Sequence, residues 1–156
     1  MVKEKDKIMY KISKEDIIRE LENSQYNGRY KIYNTYLEQN SDRWRRGKRR
    51  EFEQSLVHDK LYGFAYIKFY LDDEKMYALV AGESGSLNVN SSGSDVKFRV
   101  HPEIGKAKKW LYENNKKWCQ TEILIIRTNG EEKNTSKKEA REIEKYLVET
   151  FGLCNS

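Results

Sequence analysis

The stretch KKEAREIEKYLVETF, residues 137–151, repeats apolar residues at the spacing of one helical face. Its apolar positions are Ala140, Ile143, Leu147, Val148 and Phe151. Glu144 falls on the same face, whereas the other acids map to the solvent side, namely Glu139, Glu142 and Glu149. A carboxylate against a core is costly unless a cation, a metal ion or hydrogen-bond donors compensate its charge. The stretch therefore predicts a helix that carries one functional acid.

Local signals predict both ends of this helix. Ser136 is a residue type favoured at the N-cap, and Glu139, three residues later, completes a capping box. Gly152 is the residue type that most often follows the last helical residue. These signals place the helix between Ser136 and Gly152.

The length and composition indicate one ordinary folded domain. The chain has 156 residues, a net charge of +5, and 11 Tyr, 5 Phe and 3 Trp. Cys119 and Cys154 form no close pair, and the chain begins without a signal-peptide pattern. A reducing, cytoplasmic setting is therefore predicted. The longest apolar runs are too short to cross a bilayer, so no membrane partner is expected.

Residues 1–60 carry most of the net positive charge, with 15 Lys and Arg against 11 Asp and Glu. Ser13 is predicted to cap a first helix. A second packing face at helical spacing is predicted from Tyr30, Tyr33, Tyr36 and Leu37. Residues 1–60 are therefore predicted to form a mostly helical, basic extension.

The segment Asp42–Leu56 concentrates this charge, with six cations within eight residues. They are Arg43, Arg45, Arg46, Lys48, Arg49 and Arg50. Closely spaced guanidinium groups suit phosphate, which indicates contact with nucleic acid. The alternative is a merely solvated, repulsive surface.

Two strands follow, Leu61–Leu71 and Met76–Gly82, and the turn between them predicts an antiparallel hairpin. Alternation puts apolar residues on one face of the first strand. The other face carries tyrosines and a lysine, including Tyr62, Tyr66 and Lys68.

Residues 82–95 are rich in Gly, Ser and Asn and are predicted to form a loop. Ser91 and Ser92 in it could donate to phosphate, although a flexible loop without a binding role is the alternative. A helix to about Asn115 and a buried strand over residues 121–128 come next. The expected fold is α+β, with a small, mainly antiparallel three-stranded sheet flanked by helices. Residues 61–156 form its core.

This order of elements resembles the GIY-YIG endonuclease family. Residues 63–67, Gly-Phe-Ala-Tyr-Ile, fall where the first motif belongs, and Ala81-Gly82 closes the second strand where the second motif ends. Residues 140–155 then read Ala-x-x-x-Glu-x-x-Leu-Val-x-x-Phe-x-x-x-Asn. This matches the family's third signature, with Glu144 as its acid and Asn155 as its terminal asparagine. The pattern is most similar to the restriction-endonuclease branch.

The sequence departs from the family pattern at three places. Ala65 stands where a tyrosine is expected, so Tyr66, or alternatively Tyr62, takes the role of the first tyrosine. Val80 stands where the second tyrosine belongs, unless Tyr77 serves instead. The family's arginine would be Arg99, with Lys106 or Lys108 as alternatives.

The resemblance implies a metal-dependent endonuclease that cuts double-stranded DNA. Glu144 would hold one Mg²⁺ and face the tyrosine-bearing side of the hairpin. Tyr66 would orient or deprotonate the attacking water, with Lys68 lowering its pKa. Arg99 would neutralise charge on the phosphate, and His101 would relay a proton or be merely structural.

The resemblance also bears on partners and on alternative functions. The DNA contacts would include Asn155, and a palindromic target would favour a homodimer. The alternative function is a nucleic-acid-binding module with a degenerate nuclease core. A third interpretation pairs Glu144 with a Lys or Arg inside the fold.

Overall fold

The computed structural model describes residues 10–39, 45–61, 63–84, 106–130 and 133–155. Its helices are α1 (Lys14–Glu22), α2 (Lys48–His58), α3 (Lys106–Glu113) and α4 (Lys133–Phe151). Its strands are β1 (Tyr30–Asn34), β2 (Phe64–Asp72), β3 (Lys75–Ser84), β4 (Lys117–Trp118), β5 (Glu122–Arg127) and β6 (Cys154–Asn155). They form one sheet in the order β1-β5-β2-β3-β6, with β4 paired to β2. Within the described ranges, no helix is both long and apolar enough to span a bilayer.

The prediction of a small three-stranded sheet is wrong, because the sheet has six strands and is mixed. Strand β6 runs parallel to β3, whereas the other pairs are antiparallel. Strand β5 is buried on both faces and hydrogen-bonds to β1 on one side and β2 on the other. A buried central strand needs a partner along each edge, since unpaired backbone groups there would lack hydrogen bonds.

The predicted N-terminal helical extension is also wrong, because residues 30–34 form strand β1 of the same sheet. The helical spacing of Tyr30, Tyr33 and Tyr36 was the misleading signal. In the strand, Ile32 packs into the core cluster on one face and Tyr33 into the cluster on the other. Pairing with β5 therefore decides this conformation, as tertiary contacts often override local pattern.

The hairpin prediction is confirmed, and β2 and β3 pair from Asp72–Lys75 to Phe64–Ser84. Its two-residue turn places Asp73 and Glu74 at φ of 50° and 68°. Positive φ at both central residues is the geometry of the type I′ hairpin turn, which matches the strand twist. The register shifts by one residue between Lys68 and Phe69.

The two faces of the sheet are covered by different helices. Ala65 and Ile67 of β2 pack in the cluster that contains Ile143 and Leu147 of α4. On the opposite face, Phe64 packs in the cluster that contains two residues of α2, Phe52 and Leu56. Successive strand residues point to opposite faces, so this split decides which side each site residue occupies.

The prediction that Ser136 is the N-cap of α4 is wrong. The predicted N-cap of α1 and the predicted C-terminal end of α4 are confirmed. Ser13 caps α1 in a capping box with Asp16, and α4 ends at Phe151 before Gly152 at φ of +67°. Helix α4 begins at Lys133, so Ser136 lies inside it and donates its hydroxyl to the Gly130 carbonyl at 2.8 Å.

Glu139 also differs from its predicted place on the solvent side. It forms an ion pair with Arg29 and accepts a hydrogen bond from the Asn129 backbone N–H at 2.8 Å. Both contacts hold the chain that leads from β5 into α4. Glu139 is therefore a structural acid and is not available for chemistry.

Candidate active site

Glu144 lies at the border between the buried and exposed sides of α4. The predicted apolar face is confirmed, with Ala140, Ile143 and Leu147 buried, and Glu144 itself is half-buried. Burial raises the pKa of the Glu144 carboxyl, and the nearby Glu83 carboxylate raises it further, whereas Arg141 lowers it. The acid is therefore held in a place where its negative charge is poorly stabilised by the protein alone.

Glu83 of strand β3 is a second acid near Glu144. Glu83 pairs across the hairpin with Ala65, which lies in the cluster under α4, so the Glu83 side chain points toward that helix. Its Oε1 atom lies 3.7 Å from Nε of Arg141. Its Oε2 atom is buried and has no hydrogen-bond partner among the described residues. A buried carboxylate oxygen without a partner is costly, and a water, a proton or a cation would each satisfy it.

Glu83, Arg141 and Glu144 thus form one cluster, which we call the α4 cluster. Sequence reasoning found only Glu144. The missing signal was the strand register, because Glu83 could be placed beneath the helix only by knowing that it pairs with Ala65. A cross-strand pair between a buried alanine and a glutamate just after Gly82 marks this position.

The α4 cluster fits a divalent ion such as Mg²⁺. Magnesium is commonly bound by one or two carboxylates, while waters and substrate phosphates fill the remaining positions. Glu83 and Glu144 supply two carboxylates, and the partnerless Oε2 atom of Glu83 is a donor atom in need of a cation. Across the described part of the chain, no group of three or more His, Cys, Asp and Glu forms a fuller metal cage. Two carboxylates would leave most coordination positions of such an ion open.

Tyr66 and Lys68 lie on the other face of the sheet. Tyr66 packs against the cluster of Phe52 and Leu56, and Nζ of Lys68 is 5.6 Å from the centre of the Tyr66 ring. Ala65, its neighbour in β2, packs under α4. The sheet thus separates Tyr66 from Glu144, and the tyrosine face expected to meet Glu144 points the opposite way.

The residues considered for the second tyrosine also lie away from Glu144. Val80 is fully buried, and Tyr77 stacks on Tyr70 with ring centres 5.5 Å apart. Tyr77 pairs with Tyr70, which is four residues along β2 from Tyr66, a separation of about 13 Å at strand rise. Tyr77 therefore does not stand beside Tyr66.

Asn155 and the lysines of α3 take separate positions. Asn155 is exposed and lies beside Ala81 in the parallel pair of β3 and β6. Lys106 and Lys108 are exposed on α3, whose Ala107 packs in the cluster that contains Val80. Neither lysine is on the face of the sheet that α4 covers.

The basic segment is helical from Lys48 onward and is anchored by Phe52 and Leu56, both fully buried. Three of its five described cations are paired with acids of the same chain. The pairs are Arg45–Glu38, Lys48–Glu51 and Arg49–Glu53. Arg46 and Arg50 are exposed. The segment consequently offers less unneutralised charge than its sequence indicates.

Several predicted site residues lie outside the residues that the structure describes. They are Tyr62, Arg43, Ser91, Ser92, Arg99 and His101.

Comparison with known proteins gives no match of this chain to a protein-family model, a curated protein or a solved structure. The resemblance to the GIY-YIG family therefore depends on the residues quoted above.

Proposed function

We propose that this protein is a metal-dependent endonuclease of the GIY-YIG type, which hydrolyses phosphodiester bonds of double-stranded DNA in the manner of a restriction enzyme. The observation that carries the proposal is the α4 cluster. Two carboxylates lie close enough there for Glu83 to raise the pKa of Glu144, one of them has a buried, partnerless oxygen, and an exposed arginine pairs with it. The third family signature independently selects Glu144.

In the α4 cluster, the two carboxylates would bind the metal ion and the arginine would bind the phosphate. Glu144 and Glu83 would hold the Mg²⁺ ion, which supplies Lewis-acid stabilisation of charge on the phosphate. Arg141 has a side chain that is 63% exposed, so its guanidinium can turn to a phosphate oxygen. A planar guanidinium beside a developing negative charge stabilises it. Tyr66 and Lys68 receive no role at this centre, because the sheet lies between.

A nucleic-acid-binding module with a degenerate nuclease core is the second candidate. Val80 supports it, since a fully buried valine stands where the family places its second tyrosine. The α4 cluster opposes it, because a binding module has no need of two carboxylates near a phosphate.

Plasmid cleavage tests the choice between these two functions. We expect purified protein with Mg²⁺ to convert supercoiled plasmid into discrete linear fragments, and excess EDTA to stop the reaction. Gel electrophoresis gives the readout. Plasmid that is shifted in mobility but never cut, with Mg²⁺ or Mn²⁺, would contradict the nuclease proposal and favour the binding module.

Thermal unfolding tests the metal site without activity. Saturating Mg²⁺ at about 100 times Kd adds about 2.7 kcal/mol to stability, which raises Tm by about 5–10 °C in a chain of this size. We expect this rise in the wild type at pH 7.5 and not in Glu144→Gln. An equal rise in both proteins would show that the ion binds elsewhere.

The same measurement without metal has an expected pH dependence. Because the folded-state pKa of Glu144 is raised above the ordinary 4.5, the folded protein binds this proton more tightly than the unfolded chain. Stability is therefore lost as pH rises from about 4.5 through the raised pKa. Glu144→Gln removes that loss, so its metal-free Tm at pH 7.5 should exceed that of the wild type.

A further inference from the structure

A row of cations runs along α4 directly beside Glu144. Lys137, Arg141 and Lys145 recur every four residues, and Lys138 lies next to the row. All four are exposed, and with Glu142 they line a surface cleft of about 380 Å³. The proposed function uses only Arg141 of this set. We call Lys137, Arg141 and Lys145 the cationic row.

Helix geometry fixes where the cationic row lies. At 100° per residue, Lys137, Arg141 and Lys145 are about 20°, 60° and 100° around the axis from Glu144. They turn away from the buried side of the helix, and consecutive members are about 6 Å apart along it. Glu144 therefore separates the core from a line of positive charge about 12 Å long.

Nearby acids neutralise this line only in part. Glu142 and Glu149 lie about 140–160° around the axis from Glu144, and Glu142 lines the same cleft. Arg141 pairs with Glu83 at 3.7 Å, and Lys145 pairs with Glu149 at 4.0 Å. Lys137 and Lys138 form no ion pair with any described residue. Cations therefore outnumber acids on the side of Glu144.

This arrangement costs helix stability in the absence of a ligand. Like charges four residues apart destabilise a helix by about 0.2–0.5 kcal/mol per pair, and the row contains two such pairs. A bound polyanion would relieve this repulsion, which a merely solvated surface would not.

We propose that the cationic row binds the phosphate backbone of double-stranded DNA and leads one strand to Glu144. The choice of DNA as the polyanion rests on the proposed function. Phosphates of one strand are spaced about 3.4 Å along the duplex axis, so the row covers about three to four nucleotide steps. The strand held by Lys137 and Lys145 then passes Arg141, which brings a phosphodiester to the α4 cluster.

The test compares two double variants in the inactive Glu144→Gln background. One removes two charges of the row, Lys137→Gln and Lys145→Gln. The matched control removes two exposed charges near the hairpin turn at the opposite end of β3, Lys75→Gln and Lys117→Gln. Binding to a 30-base-pair duplex is measured by fluorescence anisotropy from 50 to 250 mM salt, and thermal unfolding verifies that each variant folds.

Each phosphate contact that is removed makes the slope of log K against log salt concentration shallower by about 0.9. The slope of the row variant should therefore be about 1.8 shallower than that of the Glu144→Gln parent, and the slope of the control should be almost unchanged. Equal slopes in both variants would overturn the inference, even if the wild type cuts plasmid. If the wild type never cuts plasmid, but the row variant has a shallower salt slope than the control, the role of the cationic row is supported and the nuclease proposal is refuted. Row-dependent binding to anionic vesicles without binding to DNA would overturn the inference.

Discussion

Glu144→Gln is expected to reduce plasmid cleavage by about a thousandfold or more, while binding to duplex DNA persists. Loss of one group that stabilises the transition state commonly costs about 10²–10³ in rate, and loss of the metal adds to that. The substitution is nearly isosteric and removes a poorly stabilised charge, so the fold should be retained. Initial cleavage rates and DNA binding are measured side by side.

Glu113→Gln is the matched control for this variant. Glu113 is an exposed glutamate of α3, a helix that packs on the face of the sheet opposite α4. Its cleavage rate should stay within about twofold of the wild type. Full activity of Glu144→Gln would refute the assignment of Glu144 as the metal ligand, because the amide cannot replace the charge of the carboxylate.

Phe52→Ala is expected to destabilise the whole protein by about 3–5 kcal/mol, which is the usual cost of emptying a fully buried phenylalanine site. Phe52 is completely buried in the cluster that joins α2 to β1, β2 and β5. The cluster contains residues from both sides of residue 60. Its disruption should therefore lower the Tm of one cooperative unfolding transition of the whole chain by about 6–20 °C.

Val57→Ala serves as the control, since Val57 is on the same helix and is 43% exposed. It should change stability by no more than about 0.5 kcal/mol. Calorimetry and urea denaturation give the comparison. If Phe52→Ala creates a separate early transition and leaves the main one in place, then residues 1–60 fold as an independent unit.

Sequence patterns identified the elements whose signals are local. The apolar face of α4, the β2–β3 hairpin and the buried strand β5 all follow from periodicity within one segment. Strand β1 was assigned as a helix because its tyrosines recur every three residues, whereas its conformation depends on pairing with β5. Strands β4 and β6 have two residues each, too few to form a pattern.

The residues of the candidate site also differ in whether a local sequence pattern reveals them. Glu144 could be found because its helix shows an acid beside an apolar row. Glu83 could not, because its place depends on cross-strand register and on which face of the sheet α4 covers. Alternation correctly separated Tyr66 from Ala65, but nothing in the sequence states on which side a later helix will pack. The expectation that Glu144 meets Tyr66 failed at that step.

The short strand β6 has a consequence for motion at the α4 cluster. After Gly152 the chain turns back, and Cys154 and Asn155 pair with Val80 and Ala81 of β3. The C-terminal end of α4 is thereby tied to the strand that carries Glu83. Helix and strand are held as a preorganised unit in which the two acids keep their relative position before substrate arrives. If the proposed nuclease activity holds, the reorganisation cost at the moment of reaction would be correspondingly small.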